Sequence, residues 1–320
     1  MLELSAKDIR QLEDLNISVE QVERQVNQLK TGFPFSDLTA PATIEKGIIR
    51  FNEDEVQELI KQFDEDKQYY DILKFIPASG AASRMFKNVY SFVEEFKGKE
   101  IPEDFLKKEN VKADSIENFF LSIREFAFYD DLKNKLAEHN KDIDTLLSEN
   151  RLVEIAEFLL ENEGLGYGKL PKALLKFHKY KEVSRYALEE HLVEAAHYST
   201  AETDEGVVAQ LHFTVSQEHL DIFKKVVEEV LPHYEEMFNI KYEITYSVQK
   251  PSTDTIAVDI NNEPFRNNDG SLFFRPGGHG ALIQNLNDLH KEIIFIKNIA
   301  NVVTDRLKPT TYDYKKVLGG

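Results

Sequence analysis

The stretch Ile72-Leu73-Lys74-Phe75-Ile76-Pro77-Ala78-Ser79-Gly80 constrains the chain more than any other. A short, mostly apolar run that ends in small residues reads as a buried strand entering a tight turn. Met85, Val89, Phe92, Val93 and Phe96 follow at helical spacing, which predicts a helix with these side chains on its inner face and Arg84 in its first turn. Strand, small-residue turn and helix in succession form the building unit of an α/β fold. Such a turn also lets backbone N–H groups come close to an anion, so Ser79-Gly80-Ala81-Ala82-Ser83-Arg84 is a candidate phosphate loop. It is neither a Walker A loop nor a G-x-G-x-x-G turn, and small residues serving only packing, with a solvated Arg84, is the competing reading.

Around this unit the chain divides by periodicity. Residues 1–70 read as packing helices: Ser18 and Gln21 make a capping box before Val22, Val26 and Leu29, and Asn52 and Glu55 repeat it before Val56, Leu59 and Phe63. Residues 99–163 are charged and helix-periodic, with Phe119, Ile123, Phe126, Leu132, Leu136, Leu152, Ile155, Phe158 and Leu159 at helical intervals, and are expected to form a helical insertion. After Gly164-Leu165-Gly166-Tyr167-Gly168 strands and helices alternate again: Val207 to Val215, a helix from Gln217 to Phe238, Tyr242 to Val248, and Ile293 to Ile296. Residues 71–98 and 164–320 are therefore expected to form one α/β domain around a mostly parallel sheet, with Phe75, Leu211, Ile244 and Phe295 on neighbouring strands.

Composition narrows the function classes. A formal charge of −18 repels polyphosphate backbones and argues against nucleic-acid binding, but a small nucleotide can be held by a helix N-terminus, a backbone nest and one or two cations. Apolar runs fall short of the roughly 20 residues of a membrane helix, and the N-terminus lacks the pattern of a secretory leader. With no cysteine there is no disulfide and no thiolate chemistry, and the cytoplasm is the expected location.

Three further segments add to the loop. These are Leu170-Pro171-Lys172-Ala173, Gln249-Lys250-Pro251, and Arg275-Pro276-Gly277-Gly278-His279-Gly280 followed by Ile296-Lys297-Asn298-Ile299-Ala300-Asn301. In this order they resemble the sugar nucleotidyltransferases of the UDP-sugar pyrophosphorylase type: the Gly-rich loop, the Pro-Lys segment, the base-contacting Gln loop, the Pro-x-Gly-His-Gly turn and the Asn-Ile-Asp-Asn strand end. The chain also resembles an uncharacterised bacterial family, domain of unknown function 4301. The resemblance implies a nucleotide-diphospho-sugar transferase (GT-A-like) sheet. It also implies transfer of a nucleotidyl group from a nucleoside triphosphate to a sugar 1-phosphate, releasing pyrophosphate; binding of a nucleotide or nucleotide sugar without catalysis is the alternative. By position Arg84 and Lys172 would be the catalytic cations. Ser79, Gly80, Ala81, Ala82 and Ser83 would hold phosphate, Gln249, Gly277, Gly278 and Gly280 would face the base, and His279 would lie beside sugar or phosphate.

Two departures bear on catalysis. The aspartate that ligates Mg²⁺ in the resembling enzymes is Ala300 here, which removes a hard oxygen ligand, and Asp305 could replace it only if the chain folded back. The matched strand lies close to Gly320, so a chain that continues further is the expectation. A separate constellation, Glu190, His191, Glu194 and His197, has the Glu-x-x-His spacing of carboxylate-bridged metal sites; a solvated, ion-paired helix is the preferred reading.

Overall fold

The computed structural model describes residues 2–80, 82–107, 111–203 and 206–320. It begins with helices α1 (Ala6–Leu15) and α2 (Val19–Thr31), the short strands β1 (Thr43–Ile44) and β2 (Gly47–Ile48), and α3 (Glu53–Asp66). Strand β3 (Ile72–Pro77) leads to α4 (Lys87–Phe96), and helices α5 (Ile116–Leu121), α6 (Tyr129–Glu138), α7 (Ile143–Ser148) and α8 (Leu152–Leu160) follow. The hairpin β4 (Lys176–Lys179) and β5 (Ser184–Tyr186) opens onto α9 (Ala187–Tyr198), then β6 (Thr200–Thr203), β7 (Gly206–Val215), α10 (Leu220–Phe238) and β8 (Lys241–Val248). The chain closes with β9 (Thr255–Ile256), β10 (Phe274–Arg275), α11 (Ile283–Leu286), β11 (Ile293–Ile296) and α12 (Lys308–Gly319). Among the described residues no helix is long and apolar enough to cross a membrane.

Helix starts follow their caps. Asn52 and Glu55 form the reciprocal box that opens α3, and Ser18 accepts from the Gln21 N–H at the start of α2. The Gln21 side chain does not return that bond; its amide donates instead to the Ser252 carbonyl at 3.0 Å and ties α2 to the segment before β9. Leu12, Ile17, Val22 and Val26 pack there against Ile256 and Leu272.

β3 is an interior strand of the sheet. It pairs in parallel with β11, Phe75 opposite Ile296, and with β7, Lys74 opposite Leu211; β7 pairs in parallel with β8, Leu211 opposite Ile244. Phe75, Leu211, Ile244 and Phe295 thus share one sheet. β6 runs antiparallel along the first half of β7, and the described residues hold three more two-stranded ladders, β1 with β2, β4 with β5, and β9 with β10. The result is a mixed α/β arrangement rather than one mostly parallel sheet, because β6 pairs antiparallel with β7 and short extended segments pair locally. On one face Ile76, Leu211, Phe213 and Val215 pack beneath α9 and α10. The opposite face carries Phe75 and a polar row, His212, Thr214, Thr245 and Ser247, joined by hydrogen bonds of 2.8–3.2 Å.

The segment between α4 and the β4–β5 hairpin is helical and has its own core, in which Phe92, Phe120, Leu132, Leu136, Ile155 and Leu159 are almost fully buried. Its return to the sheet is a tight turn: a Cβ on Gly164 would lie 1.7 Å from the Phe158 carbonyl oxygen. Two expectations at α4 fail. Arg84 lies in the turn ahead of Lys87, where α4 starts, and Met85 is 50% exposed, because the turn reaches the helix axis only after both have passed.

Candidate functional site

In parallel α/β sheets loops gather at the carboxyl ends of the strands, and ligands bind there. β3 emerges into Ala78, whose N–H still reaches the Thr214 carbonyl of β7 at 2.8 Å, and then into Ser79 and Gly80. The Pro-Lys segment is fastened to this loop by two backbone bonds, Lys172 N–H to Gly80 O and Ala82 N–H to Leu170 O, both 3.2 Å. On the other side the Ser79 hydroxyl donates to the Gln249 amide oxygen at 3.1 Å, and the Gln249 amide nitrogen donates to the Gly277 carbonyl at 2.9 Å. Glycine is required at 277, where a Cβ would come within 2.7 Å of the Thr253 carbonyl oxygen. Four of the sequence segments therefore meet at one end of the sheet.

His279 stands in a turn beside the end of β11, where its Nδ1 lies 2.9 Å from the Asn298 amide nitrogen, and the Asn298 amide oxygen accepts from Ala300 N–H at 3.2 Å. Gly80, Gly278 and Gly280 have neither left-handed backbone nor any atom within 4 Å of an added Cβ, so neither conformation nor packing demands glycine there. Ser83 and Arg84 are exposed, and neither Arg84 nor the half-buried Lys172 has a side-chain partner among the described residues. Ala81 lies outside the described residues. Ala82 does not belong with the ligand-facing set, because it is fully buried in the helical core and its N–H is already bonded to Leu170. The Gln249 amide makes one bond at each end and braces Ser79 against Gly277.

Sequence reasoning gave no role to two polar groups here. Asn298 orients His279 through a residue type with no signal of its own. Asp254 lies half-buried in the loop after β8, and burial pushes its carboxyl above the ordinary range despite a hydrogen bond from the Gly277 N–H.

Behind the site α9 carries the acidic constellation, and the helix is buried along most of its length rather than solvated. Glu194 is fully enclosed, with the Lys74 ammonium at 2.9 Å, Lys297 on its other oxygen and the Tyr198 hydroxyl at 3.1 Å. Burial would raise its carboxyl, but the lysines hold it well below the usual range; the same burial, partly offset by Glu194, pushes Lys74 down to about 7. Glu190, one turn earlier, is bound by His178, Tyr180, Arg185 and Lys308. His197 stacks on Tyr312 at 4.0 Å, and His191 contacts the Ile299 carbonyl through Nε2. The two carboxylates face separate sets of cations, so the metal reading fails: its acidic groups are already neutralised.

The described residues alone form no cage for a resident Mg²⁺. Among the described residues no group of three or more His, Asp or Glu could hold a metal ion, and the donors at the end of β11 are an amide and an imidazole. Asp305 cannot stand in for the aspartate absent at position 300, because its carboxylate is held by Arg185 at 2.7 and 2.9 Å and by Lys308 at 2.9 Å.

No curated protein and no solved structure matches the chain. A family model does, over residues 5–320, and the chain belongs to the family described as domain of unknown function DUF4301.

Proposed function

We propose that the carboxyl end of the sheet binds a nucleoside triphosphate or a nucleotide sugar. The phosphates would lie over Ser79, Gly80 and Ser83 against Arg84 and Lys172, with the base and sugar toward Gly277, Gly278, His279 and Gly280. The observation that carries this reading is the convergence of four separated segments on one end of a sheet, with two cations that have no side-chain partner among the described residues and three glycines that face open space. In a chain of formal charge −18, two cations placed beside a small-residue turn supply the local positive charge that an incoming phosphate needs. The sheet would then be of the nucleotide-diphospho-sugar transferase type, with β6 and the short ladders as additions. Calorimetric titration with uridine and adenosine triphosphates and their nucleotide sugars tests it directly. Arg84→Ala is expected to weaken the best binder about tenfold to a hundredfold, the loss of one charge-assisted hydrogen bond. Failure of every nucleotide to bind the parent chain would remove the reading.

Binding without transfer is the form best supported, because Ala300 offers no metal ligand and Asp305 is tied to Arg185 and Lys308. Nucleotidyl transfer to a sugar 1-phosphate is the second reading, resting on the order of the four segments. Mg²⁺-dependent pyrophosphate release by the parent chain would favour it, and Ala300→Asp is expected to raise that release if only the metal ligand is missing.

A further inference from the structure

A cavity of about 360 Å³ opens between α4 and the helical lobe, lined chiefly by Met85, Val89, Phe119, Phe128, Tyr167 and Phe177. Well-packed cores leave voids little larger than a water molecule, and ligand sites begin at about 300 Å³ with mostly apolar walls. The surrounding core shows no general looseness, since Phe120, Leu132 and Leu136 a short distance away are sealed. The Tyr167 hydroxyl at the wall accepts from the Lys176 N–H at 3.3 Å and gives its own proton to no described residue. Met85 in the cavity wall is half exposed and directly follows Arg84 in the chain, whose exposed side chain has no partner among the described residues and is long enough to reach the mouth. The charged residues that line the cavity itself are Asp114, which disfavours an anion on its side, and Lys176, whose ammonium is engaged by Asp131 at 2.6 Å.

We infer that this cavity holds the apolar part of an amphiphilic phosphate ester, an alkyl or ring body of roughly ten to fifteen heavy atoms whose phosphate rests on Arg84. The headgroup half of the inference rests on the phosphate-loop reading, and the cavity half does not. The body is recognised by aromatic walls without demanding polar partners, and the head by Arg84, which has no partner among the described residues.

Titration calorimetry of the whole chain with decyl phosphate below its aggregation threshold, with butyl phosphate and with decanol separates the two halves. Decyl phosphate is expected to bind one to one, at least tenfold more tightly than either of the others. Met85→Asp, a change at an exposed position whose melting temperature serves as the folding control, is expected to cost decyl phosphate at least tenfold while leaving nucleotide titrations unchanged. Arg84→Ala is expected to weaken decyl phosphate but not decanol. Equal binding of decyl and butyl phosphates, or full affinity in a normally folded Met85→Asp chain, would overturn the proposal even if nucleotides bind. Equal binding of decanol and decyl phosphate would overturn it too. Sedimentation with phosphatidic-acid vesicles assigns the ester to a membrane lipid; retention in the supernatant, with decyl phosphate still bound, assigns it to a soluble ester.

Discussion

The helical lobe and the interior beneath α9 are buried to the same degree, but only the second sets charges among its apolar side chains. In the lobe the sealed positions are Leu132, Leu136, Ile155 and Leu159, whereas beneath α9 they include Lys74, Glu190, His191 and Glu194. An apolar cluster accepts many rearrangements of similar volume, while a buried charge accepts only its partner. The partners of α9 come from far along the chain: Glu194 joins β3 through Lys74 to the end of β11 through Lys297, and Glu190 joins the β4–β5 hairpin to α12 through Lys308. The lobe is thus held by volume, and the segments that flank the candidate site are held by charge pairing.

The sharpest way to break this comparison is to remove one carboxylate. Glu194→Ala leaves Lys74 and Lys297 facing each other in an enclosed space, and the loss is expected to reach about 3–5 kcal/mol, read from urea unfolding. If Glu194→Ala costs less than about 1 kcal/mol, the cations have reached water and the interior is not closed.

Next in size is Leu132→Ala in the lobe, where a fully buried side chain leaves a cavity and about 3 kcal/mol is expected by the same measurement. Leu132→Met is expected to cost under about 1.5 kcal/mol, since volume is kept. If conservative replacement in the lobe cost as much as the carboxylate loss, the contrast between the two interiors would vanish.

The contrast also explains what could be read from the sequence. β3 and β11 were legible because short, mostly apolar runs favour a strand, and Ile72–Pro77 and Ile293–Ile296 match those runs, although only β3 is buried throughout. The segments of the candidate site were legible one by one as small-residue turns, and the structure adds that Ser79, Gln249 and Gly277 touch. The burial of α9 was not legible: Glu-Glu-His-x-x-Glu looks like a solvated face until Lys74, Lys297 and Lys308 are seen to arrive from three other segments. Lys74 gave the only hint, a charge inside an apolar strand whose two faces are both covered. Ala82 and Met85 were misplaced for a related reason, because residues in the turn before α4 follow no helical period.

A smaller effect is expected from pH, on the polar face of the sheet. Burial lowers the His212 imidazole to about 4, with both ring nitrogens engaged by Thr245 and Ser247 at 2.8 Å. The unfolded chain, with histidine near 6.5, binds the proton first. Between about pH 6.5 and 4 the unfolded state therefore gains protons that the folded state refuses, and His212 withdraws stability as pH falls, by up to about 3 kcal/mol at the acid end. His191 and His197, also lowered by burial, act in the same direction, so the informative quantity is the difference between parent and His212→Gln. That difference is expected to narrow steadily from pH 6.5 to 4.5 in urea titrations; a constant difference would mean that His212 is protonated as easily in the fold as out of it.

The smallest effect comes from the same pair of residue types placed where water reaches it. Lys141 and Glu154 on the lobe lie 2.6 Å apart, closer than Lys74 and Glu194 at 2.9 Å, but each keeps about a third of its side chain exposed. Solvent screens the attraction, and Glu154 retains Arg151 at 2.6 Å when Lys141 is lost. Lys141 also lies over the Phe158 ring at 5.0 Å, so Lys141→Met is the cleaner substitution, because it preserves the apolar contact and removes only the charge. The expected cost is at most about 1 kcal/mol, and it should shrink further when salt is raised to about 1 M, where the screening length falls to roughly 3 Å. The penalty for Glu194→Ala should hardly respond to the same salt, because ions do not enter a space closed to water. If both pairs respond to salt alike, burial is not what separates them, and the division between a lobe held by volume and a sheet held by charge would have to be abandoned.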